Sequence, residues 1–181
     1  MNLIELFSKI KDFRRAEGKR YPLTAMLVIV MMSIICGHYG YREIARFAKA
    51  NREKFKRYFN LKRSQMPTHV TFRRFIQEID FQQVNQVFEE WIKNYVQIDD
   101  KEWFAIDGKA IRSTVKDYDK SYQNFVSMVS IFGQKRGQVI KIAKLHNSKT
   151  SEIPTVEQLI KTLDLEGLVL SMDALHCQKK L

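Results

Sequence analysis

The sequence predicts an α+β protein, and three observations predict it. Residues 1–98 carry apolar side chains at helical spacing. Residues 99–181 carry short apolar runs of strand length, with one helical stretch before the last of them. The change of period falls at a polar joint, Asp99-Asp100-Lys101. The expected organisation is an all-helical basic domain over 1–98, followed by a β-β-β-α-β domain over 99–181.

The helical half divides at its punctuation. Pro22 suits the first helical position and Gly37 a C-terminal stop, which sets a core helix over Pro22–Cys36. Its apolar run from Leu23 is interrupted only by Thr24 and Ser33 and falls short of the roughly 20 residues a bilayer span needs. A buried helix and no membrane partner are expected, with Cys36 as a small core residue. A second helix is expected over Tyr41–Ala50, with Ile44, Ala45, Phe47 and Ala48 on one face and Arg42, Arg46 and Lys49 on the other. Arg52–Phe59 reads as a short aromatic helix. Thr68 is a good N-cap for Val70–Ile79, and Asp80 for a last helix over Phe81–Val96. Five helices are expected in all.

In the second half, Trp103–Asp107, Asn124–Phe132 and Gln138–His146 read as strands, the last two joined across the glycine-bracketed loop Gly133–Gly137. A helix over Ile153–Leu163 tolerates Pro154 in its first turn, and the strand Leu168–Asp173 follows Gly167. His176-Cys177 lacks a second ligand pair at zinc spacing and reads as a polar turn.

Composition narrows the function classes. The formal charge is +11, and residues 1–95 hold 18 Lys+Arg against 9 Asp+Glu. An excess confined to one half points to a polyanionic partner there. Two cysteines in unrelated contexts argue against a disulfide framework, and the expected compartment is a reducing cytoplasm. Arg73 and Arg74, on the early turns of one helix, could join Arg42 and Arg46 in a helix-turn-helix-like DNA face that contacts mainly phosphates.

The chemistry rests on two acids. Asp107 is expected to close the first strand and Asp173 the fourth. In the β-β-β-α-β order, which is the ribonuclease-H-like layout, the crossover helix sets the fourth strand beside the first, making these acids neighbours. Two close carboxylates repel unless a cation lies between them, and Mg²⁺ prefers such oxygen ligands together with substrate phosphates. Lys109 and Arg112 could hold phosphates nearby. Glu152 precedes the crossover helix and is expected to cap it or face its dipole.

Particular segments resemble a known family. Ala105-Ile106-Asp107-Gly108-Lys109-Ala110-Ile111-Arg112 resembles the first-aspartate block of DDE-type bacterial insertion-sequence transposases, in the subgroup of H-repeat-associated proteins. Lys149-Thr150-Ser151-Glu152-Ile153-Pro154 is similar to a conserved segment of that subgroup, with Ser151 where Asn is usual. Leu170–Gln178 resembles the second-aspartate block, and Tyr21-Pro22-Leu23, Cys36-Gly37 and Pro67–Phe72 resemble the associated N-terminal domain. The resemblance implies Mg²⁺-dependent cleavage and transfer of DNA strands, with Asp107 and Asp173 as the first two catalytic and metal-binding acids. It also implies a third acid, a glutamate well beyond the second aspartate, which has no counterpart before Leu181. The expectation is a truncated relative with an incomplete ribonuclease-H-like domain, inactive alone. Its alternative role is a DNA-binding module or inhibitor that forms homo-oligomers or pairs with a full-length transposase.

Overall fold

The computed structural model describes residues 2–63, 65–94, 102–116, 124–135, 137–146, 152–162 and 169–173. The chain divides into two compact units, Met1–Trp91 and Ile92–Leu181. Among the described residues the class is α+β, with seven α-helices and one four-stranded mixed sheet.

The first unit holds α1 (Leu3–Phe7), α2 (Leu23–Ile35), α3 (Tyr41–Ala50), α4 (Arg52–Phe59), α5 (His69–Glu78) and α6 (Phe81–Lys93), with one 3₁₀ turn at Ala16–Gly18. The element α1 was not expected, because five residues are too few to display a period. Its signal is the capping box: the Glu5 amide donates to Asn2 Oδ1 at 2.9 Å, and the Asn2 amide donates to Glu5 Oε2 at 3.1 Å.

Pro22 is the residue before α2 rather than its first, and its carbonyl accepts the first helical bond, from the Met26 amide. At the other end Gly37 takes φ +82°. The His38 amide then reaches Ser33 O and the Gly37 amide reaches Ile34 O, each at 2.9 Å, which is the Schellman closure. Thr68 caps α5 by accepting from the Thr71 amide at 3.4 Å, and Asp80 Oδ1 accepts from the Gln82 amide at 2.8 Å ahead of α6.

The core of this unit forms around α2, whose Ala25, Met26 and Ile29 are fully buried. Leu6 and Phe7 of α1, Ile44 and Ala48 of α3, Phe55 of α4, and Phe72 and Phe75 of α5 pack with them. The expectation that Cys36 is a core residue fails. It is exposed, as are Met32, Ile34 and Ile35, because the last turn of α2 runs past the helices that cover its middle. Among the described residues no helix is long and apolar enough to cross a membrane.

The second unit holds β1 (Trp103–Lys116), β2 (Asn124–Gly133), β3 (Gln138–His146), α7 (Glu152–Lys161) and β4 (Val169–Ser171). The sheet order is β3-β2-β1-β4, with antiparallel pairs along β3-β2-β1 and a parallel pair between β1 and β4. Phe104 and Ile106 of β1, Val129 and Ile131 of β2, and Leu145 of β3 form one face of the sheet. They pack with Val156 and Leu159 of α7. Pro154 stands in the first turn of α7, where its missing amide costs nothing.

The first strand does not stop at Asp107. It continues for nine residues, because Gly108–Ile111 stay in register with Val126–Val129 and Thr114 carries the ladder over an irregularity. The Thr114 hydroxyl donates to Ile111 O at 2.6 Å and accepts from the Val126 amide at 2.9 Å. The fourth strand is shorter than expected and ends two residues before Asp173. The expected joint at Asp99–Lys101, the ends of the last helices at Val96 and Leu163, Leu168 and His176-Cys177 lie outside the described residues.

Candidate functional site

The strand register locates the two aspartates. Trp103 pairs with Val169, Phe104 with Leu170 and Ala105 with Ser171, a constant offset of 66 residues. Asp107 and Asp173 have the same offset, and each lies two residues past the last of these pairs. The Ser171 hydroxyl donates to Phe104 O at 3.4 Å, and the Val169 amide donates to Glu102 O at 3.1 Å, which together tie this edge.

Side-chain alternation then selects the face. Phe104 and Ile106 point into the α7 side of the sheet, and Leu170 and Met172 pack against the same core. Asp107, one residue beyond the core-facing Ile106, therefore lies on the opposite face, and Asp173 follows the core-packed Met172 just past the end of β4. Both are exposed.

The cross-strand register gives the surroundings of the pair. Asp107 is opposite Ser130, which is opposite Ile142. One row along on the same face, Lys109 is opposite Met128, which is opposite Lys144. The row on the other side contains Ala105, Phe132 and Val139. Phe132 and Val139 are each 37% exposed, and Trp103 beyond them is 55% exposed. Asp107 thus stands between an open apolar stretch and a basic one.

Lys109 shares the face of Asp107, while Arg112 falls within the irregularity after Ile111, where the register pairs it with no residue of β2. Sequence reasoning missed Lys144, whose place on the same face of the sheet as Asp107, two strands away, depends on pairing through β2. Glu152 is the first residue of α7. Among the described residues no group of three or more His, Cys, Asp and Glu gathers into a metal-binding cluster.

In the helical unit, Arg42 and Arg46 lie exposed on α3, and Arg73 and Arg74 lie exposed on α5. The two helices pack together, but α4 and a nine-residue connection separate them in the chain. They are not the two helices joined by a three- or four-residue turn that a helix-turn-helix requires. A concave cleft of about 790 Å³ gathers Arg42 and Arg46 with Lys49, Arg52 and His69. The last three were not among the expected DNA contacts.

Two kinds of comparison bear on this arrangement. Residues 4–92 match the DDE_Tnp_1-associated family model, a span that nearly coincides with the helical unit. The chain is 30% identical over 178 residues to "H repeat-associated putative transposase YbfD" of Escherichia coli K12. That match covers 98% of this chain and 68% of the relative. It is 29% identical to "H repeat-associated putative transposase YhhI" of the same strain, again over 98% of this chain but only 46% of the relative. The chain therefore spans about half to two thirds of the length of these relatives.

Proposed function

This chain belongs to the H repeat-associated transposase family, and from that premise we propose that it acts on DNA, with Asp107 and Asp173 as a carboxylate pair for Mg²⁺-dependent strand cleavage and transfer. The observation that supports this reading is the 66-residue offset of the β1–β4 pairs, which Asp107 and Asp173 share two residues beyond the last pair, Ala105–Ser171. The sheet order β3-β2-β1-β4, antiparallel except at the β1–β4 edge, supports reading the second unit as ribonuclease-H-like.

The donor set fits the ion. Mg²⁺ takes hard oxygen ligands and is commonly held by one or two carboxylates together with phosphate oxygens and waters. Two exposed carboxylates would supply the first part, with substrate and solvent supplying the second. A bound divalent ion would lower the pKa of a coordinated water and screen the charge that builds on a phosphodiester. In this reading Asp107 and Asp173 would hold the ion between them. Lys109 and Lys144, one row along, would attract and orient the phosphate there, and the cations of the helical unit would retain the rest of the DNA.

A second reading, a DNA-binding module without chemistry, is favoured by the concentration of cations in the helical unit, which carries neither aspartate. Nicking of supercoiled plasmid in Mg²⁺ separates the two. Cleavage that disappears in Asp107→Asn and in Asp173→Asn supports the metal site. DNA binding without cleavage in the unsubstituted protein supports the module.

A further inference from the structure

The cleft between α3 and the start of α5 has the chemistry of a phosphate-backbone clamp. Arg42, Arg46 and Lys49 recur at intervals of four and three residues, which aligns them as one stripe on α3, opposite the buried Ile44 and Ala48. Arg52, at the start of α4, extends the stripe, and Thr68 and His69 form part of the opposite wall.

Among the described residues, no carboxylate belongs to the lining. Glu43 is on the same helix, but its carboxylate accepts from the Tyr39 and Gly40 amides at 3.1 Å, where it serves as a cap. Glu53 holds Arg52 through Nε at 2.8 Å. The cleft also receives the N-terminus of α5, where first-turn amides and the helix dipole favour an anion.

Size separates a single small anion from a polymer. The seven residue steps from Arg42 to Lys49 span about 10 Å of helix rise. That distance matches about three phosphates at the axial spacing of one DNA strand. We propose that this cleft clamps the sugar–phosphate backbone of one DNA strand. Arg42, Arg46 and Lys49 hold successive phosphates from one wall, and His69 and the α5 N-terminus close from the other. Such contacts fix register and orientation without reading bases. The proposal rests on the DNA-acting role argued above and assigns the surface that performs the holding.

The test is fluorescence anisotropy of the full chain with a labelled 20-base-pair duplex, over a range of salt concentrations. The double substitution Arg46→Gln/Lys49→Gln removes two cleft cations, both exposed, and circular dichroism verifies that the helices remain. Affinity should fall by about tenfold or more at low salt, and the slope of log K against log salt should become shallower by about 2. The control Lys54→Gln/Arg57→Gln removes the same charge from α4, outside this cleft, and should leave the slope near that of the unsubstituted protein. Equal losses in both pairs, or unchanged binding in the cleft variant, would overturn the clamp while leaving a DNA-acting role intact. An unsubstituted chain that does not bind DNA would overturn both.

Discussion

Asp107 and Asp173 share the 66-residue offset of the β1–β4 register, each two residues beyond the pair Ala105–Ser171. A shared ion requires both carboxylates, so losing either should cost nearly as much as losing both. Mn²⁺ binding followed by electron paramagnetic resonance should weaken about tenfold or more in Asp107→Asn and in Asp173→Asn. The double variant should be little worse than the weaker single one. Independent, additive losses would mean two separate weak sites. Both side chains are exposed, so metal-free stability should change by less than about 1 kcal/mol.

Thr114 bridges the irregularity between β1 and β2 with two hydrogen bonds from one hydroxyl. Thr114→Val keeps the shape and removes both, with an expected cost of about 1–2 kcal/mol. Urea unfolding gives the loss, and hydrogen exchange at the Val126 amide gives its location. Exchange there as slow as in the unsubstituted protein would show that the ladder holds without the hydroxyl.

Phe72 of α5 is fully buried in the core around α2. Phe72→Ala should destabilise the helical unit by about 3–5 kcal/mol through lost burial and a residual cavity. A calorimetric transition shifted by far less would mean that the helices close over the gap.

Three carboxylates tie the stability of the helical unit to pH. Hydrogen bonding from Arg14 holds Asp12 below its ordinary value, the Gly40 and Tyr39 amides do the same for Glu43, and Gln83 and the Gln82 amide for Asp80. A depressed folded pKa contributes stability above the unfolded value and loses it as pH falls through the folded one. The melting temperature should be flat above about pH 5 and fall below about pH 4. The fall should be shallower in Asp80→Asn and in Arg14→Gln. An unchanged acid limb in both would place the linkage elsewhere.

Much of this architecture was legible in the order of residues alone. The helices Tyr41–Ala50 and Arg52–Phe59 and the strand Gln138–His146 have the bounds their periodicity predicts, and Thr68, Asp80 and Gly37 act at the helix ends where their chemistry suggests. These are local effects: a cap, a left-handed glycine and a repeat of 3.6 or 2 depend on a few neighbouring residues. Pairing is not local. That β1 runs through Asp107 depends on β2 remaining opposite it, a partnership no single segment encodes. Lys144 joins the face of Asp107 only once register and alternation are set. The basic cleft likewise exists because α3 and α5 pack together across an intervening helix. Local propensity chose the elements, and long-range burial of their apolar faces decided which charges meet.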